Sequence, residues 1–174
     1  IGSNFDQNIN RAKDLIHLAK EAGADAVKFQ HYTASGLVSD HGFRQIGKQK
    51  SHQAAWRKSV YDTYEDASLR KEWTGDLKQA CDEIGVEFFT SPYSLELVDY
   101  VDAFVPAFKI GSGDITWPDI IKSIAVKGKP VLLATGASSL EDVQRATEEV
   151  LAVNPNLVLM QCNTNYTADE GNFA

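Results

Sequence analysis

Apolar positions along this 174-residue chain switch repeatedly between two spacings. Across residues 8–22, Ala12, Leu15, Ile16 and Ala19 fall at intervals of three and four, which predicts one helical face, and Gly23 ends it. The next residues, Asp25-Ala26-Val27-Lys28-Phe29-Gln30, read as a short strand. Residues 67–84 carry the clearest helical pattern, with Leu69, Trp73, Leu77, Ala80, Cys81 and Ile84 on one side and Gly85 as its stop. A strand follows at Val86-Glu87-Phe88-Phe89-Thr90. The spacing then predicts a helix near 94–103, a strand at 106–110, a helix near 118–127 ended by Gly128, and a strand at Val131-Leu132-Leu133. A helix reaching Ala152 starts at Ser138 or Ser139. Glu141, three residues past Ser138, fits a capping box. Leu157-Val158-Leu159-Met160 is the last strand.

Strand and helix thus alternate through short connections, as in a parallel sheet built from right-handed crossover units. A unit length of roughly 24 residues suits either an open doubly wound sheet or an eightfold barrel. No G-x-G-x-x-G opens a first helix, which weakens a dinucleotide-binding reading. The stretch 31–66 breaks the alternation. It is polar, holds Trp56, Tyr61 and Tyr64, and reads as a long functional loop with one helix near 50–60.

Composition narrows the classes of function. With 43% hydrophobic and 24% charged residues the chain is an ordinary globular sequence, and no run of about 18 apolar residues could span a membrane. A net charge of −7 without any Lys/Arg cluster argues against a nucleic-acid partner. Small anionic ligands remain open, since a few interior lysines can serve them. Cys81 and Cys162 are too few for a disulfide framework, which suits a reducing cytoplasm. Cys81 lies on an apolar helix face and reads as a buried thiol. Cys162 follows a strand, with no histidine signature behind a nucleophilic role. The ends, Ile1-Gly2-Ser3-Asn4 without a Met and Asn172-Phe173-Ala174, read as cuts through a longer protein.

The candidate chemistry starts with Lys28. Side chains alternate along a strand, so Lys28 and Gln30 share one face and Val27 and Phe29 the other. An ammonium inside a covered parallel sheet costs several kcal/mol unless an anion pairs with it; alone, Lys28 would more simply snorkel to water at a strand edge. Lys109 repeats the arrangement in Phe108-Lys109-Ile110, just before Gly111-Ser112-Gly113-Asp114. Two lysines at the carboxyl ends of strands can converge on one phosphate or carboxylate, at the end where barrel active sites sit. Small polar residues recur at equivalent places: Thr90-Ser91-Pro92, Thr135-Gly136 and Asn163-Thr164-Asn165-Tyr166. Each alone is an ordinary turn or helix cap; together they ring one face with hydrogen-bonding groups. Asp114 is the single carboxylate of that ring, either a chemical group or a cap for the helix near Trp117 and Pro118. His17, His31, His41 and His52 show no metal-ligand spacing. His31, directly after the Lys28 strand, could line a site.

In order, these segments resemble the N-acetylneuraminate (sialic acid) synthase family, including the pseudaminic and legionaminic acid synthases. The matching segments are Ile1-Gly2-Ser3-Asn4-Phe5, Gly23 through Gln30, Phe89-Thr90-Ser91-Pro92, Val105-Pro106-Ala107-Phe108-Lys109-Ile110-Gly111-Ser112-Gly113-Asp114, Gly128-Lys129-Pro130 through Gly136, and Cys162 through Tyr166. The resemblance implies an α/β fold, a (β/α)8 TIM barrel present here as a partial barrel from the end of strand 1 through strand 6, in one domain over 1–174. It implies a transferase that condenses phosphoenolpyruvate with an acylamino sugar, N-acetylmannosamine or a bacterial relative, to give a nonulosonic acid and phosphate. Lys28, Lys109, Ser91 and Ser112 would hold phosphoenolpyruvate, with Thr135 and Thr164 among the substrate-binding groups. Gln30 and Tyr166 would lie toward the sugar, and Asp114 near the aldehyde or the attacking water. A divalent metal, manganese or magnesium, would polarise the aldehyde. The resemblance puts its protein ligands beyond Ala174, allows a homodimer, and leaves no nucleic-acid or membrane partner.

The chain departs from the pattern at several points. Phe5 stands for a common histidine, Ala134 for a serine before Thr-Gly, Thr167 for a frequent proline, and Asp114 for Glu. These suggest a divergent branch. The rivals are another phosphoenolpyruvate-using barrel, such as a 3-deoxy-heptulosonate phosphate synthase, and a catalytically dead sugar- or anion-binding relic. An incomplete barrel leaves sheet edges open, so the chain by itself is expected to be poorly stable and inactive.

Overall fold

The computed structural model describes residues 1–46, 53, 56–164 and 171. Five strands, β1 (Ala26–His31), β2 (Glu87–Pro92), β3 (Phe108–Ile110), β4 (Val131–Ala134) and β5 (Leu157–Met160), form one parallel sheet. Their order in space is their order in sequence. Helices α1 (Ile9–Glu21), α5 (Thr74–Ile84), α6 (Leu95–Val101), α7 (Pro118–Ala125) and α8 (Leu140–Leu151) cover one face of the sheet. A sheet in which every strand neighbours its successor, with its helices on one side, is an arc of a (β/α)8 barrel rather than a doubly wound sheet. Ahead of β1, the Ile1 amino group and the Gly2 N–H both donate to the Lys28 carbonyl, each at 3.2 Å. The opening residues therefore lie along the free edge of β1, as the tail of a preceding strand would.

Local chemistry explains the boundaries. The Asn8 side chain accepts from the N–H groups of Asn10 and Arg11 to start α1, and Ser94 does the same for α6 through Leu97. Gly85 ends α5 with φ +77°, a conformation that costs glycine nothing. The box that starts α8 is Ser139 with Asp142, not Ser138 with Glu141. Ala137 turns the chain with φ +54°, and the Ser138 hydroxyl is engaged by the Gly136 carbonyl, so the cap falls one residue later. Strand β3 begins at Phe108 rather than at 106, because Pro106 has no N–H for the ladder.

The stretch 31–66 is not one long loop. It holds α2 (Ala34–Leu37), α3 (Asp40–Ile46) and the start of α4 (Val60–Ala67), the first capped by Thr33 and the last by Ser59. Of the helix expected near 50–60, residues 50–52, 54 and 55 lie outside the described residues, while 56–59 are not helical and lead into the Ser59 cap of α4. The pattern over 67–84 resolves into a single turn of 3-10 helix at Lys71–Trp73 followed by α5.

The core lies between sheet and helices. Phe29, Phe88, Phe108 and Leu133 are each fully buried there against α1, α5, α7 and α8 residues such as Ile16, Leu77, Ile124 and Val150. Cys81 is part of this core, and burial pushes its thiol up to about 12, which makes it inert. Along β5 the side chains of Val158, Leu159 and Met160 are exposed. Among the described residues no helix is long and apolar enough to cross a membrane.

Candidate active site

Strand alternation sorts the chemistry from the core. With Val27 and Phe29 buried toward the helices, Lys28 and Gln30 face the opposite, concave side. The register aligns Lys28 with Phe89 and Gln30 with Ser91, which puts Ser91 on that same side. Thr90 pairs with Phe108, so the following residue, Lys109, joins them. Three adjacent strands thus deliver Lys28, Gln30, Ser91 and Lys109 to one face.

The two ammonium groups are half-buried and close enough to feel each other. Burial holds both below the ordinary lysine range, and the charge of Lys28 lowers Lys109 further. Cys162 and Asp114 act on Lys109 in the opposite direction. Lys109 donates to the Ile110 carbonyl at 2.7 Å. Among the described residues neither lysine makes an ion pair, whereas lysines 58, 71, 78, 122 and 127 all do. Two half-buried cations thus share one surface, and Asp114 is the carboxylate whose charge reaches Lys109.

Asp114 stands at the end of the short 3-10 turn Ser112–Asp114 that follows β3. Burial raises its carboxyl above the usual range, and Lys109 offsets part of that rise. The turn is held by backbone: the Asp114 N–H donates to Gly111 O at 3.1 Å and the Trp117 N–H to Asp114 O at 2.9 Å. The α7 cap residue is Trp117, with no side-chain cap bond. The Asp114 carboxylate therefore does not cap α7. It lies against Gly111, where a Cβ would come within 3.4 Å of its Oδ2.

Ser112, Thr135 and Thr164 gather at the ends of β3, β4 and β5. The Gly136 N–H donates to the Ser112 Oγ at 3.0 Å, and Thr135 donates through both N–H and hydroxyl to the Met160 carbonyl. Thr164, with φ +53°, turns its hydroxyl to the Asn163 carbonyl. Gly136 is packed so tightly that a Cβ would meet Thr164 Cγ2 at 2.5 Å, the Cys162 carbonyl at 2.8 Å and Ser112 Oγ at 3.0 Å. A cleft of about 370 Å³ opens here, with Ser112, Gly113, Gly136 and Thr164 among its walls. Tyr166 and Thr167 lie outside the described residues.

One expectation is corrected. His31 does not line the site: it is buried on the helix side, between Thr90 and Thr74, each 2.8 Å from a ring nitrogen. Its parity in β1 is that of Phe29, not of Lys28. Phe5, in place of a histidine, belongs to the core and packs against Phe29 and Trp73, with ring centroids 6.3 Å away in each case. One residue escaped sequence reasoning. Tyr93, the residue after Ser91-Pro92, receives a hydrogen bond from Gln30 Nε2 at 2.9 Å on its hydroxyl. Its place just past a strand end was the available signal. As for the divalent metal that the resemblance implies, no group of three His, Cys, Asp or Glu among the described residues could hold one, so the described donors do not fit it.

Comparison with known proteins agrees with this fold. The NeuB family model matches residues 15–173. Curated relatives include a pseudaminic acid synthase of Helicobacter pylori, 30% identical over 95% of this chain and 49% of its own. The human N-acetylneuraminate-9-phosphate synthase is 28% identical over 95% of this chain and 46% of its own. The chain thus spans about half the length of the curated relatives it matches. Among solved structures, the spore coat polysaccharide biosynthesis protein spsE of Bacillus subtilis superposes with TM-score 0.74 at 28% identity, covering 97% of this chain and 44% of that one. An N-acetylneuraminic acid synthetase of Leptospira borgpetersenii reaches TM-score 0.81 at 23% identity, over 97% of this chain and 54% of that one. A truncated 3-deoxy-D-arabino-heptulosonate 7-phosphate synthase of Thermotoga maritima reaches 0.64 at 15% identity, which speaks for the fold alone.

Proposed function

This chain belongs to the NeuB family, and from that premise we propose that it supplies the phosphoenolpyruvate-binding arc of a cytoplasmic enzyme that condenses phosphoenolpyruvate with an acylamino sugar. The observation that carries the reading is the pair Lys28 and Lys109: two desolvated ammonium groups on one concave face, without ion-pair partners among the described residues. Phosphoenolpyruvate brings a phosphate and a carboxylate, enough negative charge to satisfy both.

In this reading Lys28 and Lys109 hold the two anionic groups, with Ser91, Ser112, Thr135 and Thr164 as hydrogen-bonding neighbours. Gln30 faces the sugar, and the resemblance assigns Tyr166 to the sugar as well. C3 of phosphoenolpyruvate forms the new bond to the aldehyde carbon while the C=O π bond opens onto oxygen, which takes up a proton; water adds at C2, and the C2–O bond breaks with phosphate as the leaving group. Asp114 accepts the proton of that water. Its raised pKa supports the role, because a stronger base takes a proton more readily. The divalent metal, manganese or magnesium, takes its ligands from outside the described residues, and a homodimer is the expected assembly.

The test is phosphate release from phosphoenolpyruvate by the gene product that carries this chain, against a panel of acylamino sugars including N-acetylmannosamine. Release that depends on one of these sugars is expected. In Lys109→Ala the KM for phosphoenolpyruvate should rise by about tenfold or more, the worth of a charged hydrogen bond, while the urea midpoint stays near wild type. No release with any sugar points to the binding relic. Release only with a phosphorylated sugar lacking the acylamino group points to a heptulosonate-type synthase.

A further inference from the structure

Between β1 and β3, the concave face holds a link that the anion site does not require. The Gln30 carboxamide is held at its nitrogen and faces Gly2 with its oxygen. Its Nε2 donates to the Tyr93 hydroxyl at 2.9 Å, and its Oε1 lies so near the backbone of Gly2 that a Cβ there would sit 3.4 Å away. Gly2 itself has φ +59°, a conformation that glycine supplies without strain. Tyr93 reaches across β2, because its hydroxyl lies 3.6 Å from where a Gly111 Cβ would be, beside the Asp114 carboxylate. The ring is braced in turn. Tyr32 packs edge-on against it with centroids 6.0 Å apart, and the Tyr32 hydroxyl bonds Ser3 at 3.0 Å.

We infer that Tyr93 is a positioning residue for acceptor choice: it fixes the Gln30 carboxamide so that Oε1 receives a donor hydrogen of the acceptor sugar. This deepens the proposed function and rests on it. A free glutamine carboxamide rotates about χ3 and presents either end to a ligand. Once Nε2 is engaged by Tyr93, the two ends are no longer equivalent, and the acceptor oxygen is the one held in a defined place. A sugar that offers an N–H or O–H there gains a bond without ordering the side chain. One that offers only an acceptor meets an unpaired carbonyl, and buried unpaired polar groups discriminate strongly. The lysine pair is untouched by this link, so phosphoenolpyruvate binding is independent of it.

Tyr93→Phe removes the hydroxyl and keeps the ring that packs on Tyr32. In the gene product that carries this chain, assayed with N-acetylmannosamine or whichever panel sugar gives phosphate release, KM for the sugar should rise about tenfold. KM for phosphoenolpyruvate should stay within about twofold, a split that a general loss of packing would not produce. Gln30→Ala should raise the sugar KM as much or more, and Tyr93→Phe added to Gln30→Ala should change nothing further. An unchanged sugar KM in Tyr93→Phe, or additive losses in the double variant, overturns the inference. A readout without turnover stands beside it: the Gln30 side-chain amide signals in a nitrogen-15 spectrum should shift in Tyr93→Phe, and their staying in place also overturns it. If the wild type releases phosphate with no acylamino sugar, the proposed function fails and the acceptor role with it. The amide signals then still report whether Tyr93 holds Gln30.

Discussion

The two faces of one sheet divide the work of this molecule. On the helix side β1, β2, β3 and β4 present Phe29, Phe88, Phe108 and Leu133, all fully buried. On the concave side β1, β2 and β3 present Lys28, Gln30, Ser91 and Lys109, polar and mostly half-buried. Neighbouring residues such as Phe108 and Lys109 therefore serve different ends: one holds the sheet to its helices, the other charges the cavity. Stability and chemistry are separated by one step along the backbone, so substitutions a single residue apart should fail in different ways.

The largest effect is expected on the helix face. Phe88→Ala removes a ring stacked on Phe29 with centroids 5.7 Å apart and leaves a cavity in the core. It should destabilise the gene product by about 3–5 kcal/mol, read as a lowered urea midpoint. A loss under about 1 kcal/mol would break the division.

Next comes His31, the polar group on that same face. The Thr74 hydroxyl is committed to the Lys71 carbonyl, so the ring donates from Nε2 to Thr74 and accepts at Nδ1 from Thr90. Protonating Nδ1 reverses the second bond and charges a buried ring, and burial accordingly lowers its pKa from 6.5 to about 4. The unfolded state then binds more protons between these values. Stability should fall as pH drops from about 6.5 to about 4, by up to about 3 kcal/mol, and level off below. Urea midpoints across that range check this, and His31→Gln should flatten the slope.

The smallest effect on folding belongs to the concave side. Asp114→Asn removes a buried negative charge from a carboxylate that caps no helix, so the urea midpoint should move little. Turnover should drop by about 10²-fold, the usual scale for losing a general base. Normal turnover would leave Asp114 as a turn residue only.

Much of this was legible in the sequence because two periodicities are easy to read. The alternation in Val27-Lys28-Phe29-Gln30 assigned its faces outright, and the repeat of the motif at Phe108-Lys109-Ile110 tied distant strands to one another. What escaped depends on partners far along the chain. His31 stands one step past Gln30, but whether a strand continues through it depends on pairing with β2, which reaches Pro92. The short helices of 31–46 carry too few turns to show a face, and capping by Thr33 decides them locally. Tyr93 became a site residue only when β2 lay between β1 and β3, bringing together positions 63 apart in sequence.

The spatial order of the strands has a further consequence for how the chain comes into being. Because each strand pairs with the one before it, no contact in the sheet waits on a segment made much later. Every helix–strand unit leaving the ribosome finds its template already in place, and beyond β2 the loop closed at each step stays short, which keeps the entropic barrier of those additions low. Growth proceeds from the amino end, and the edge awaiting a partner moves with it, from β1 to β5. The apolar side chains on β5 mark that growing edge, where aggregation competes with the next addition during synthesis.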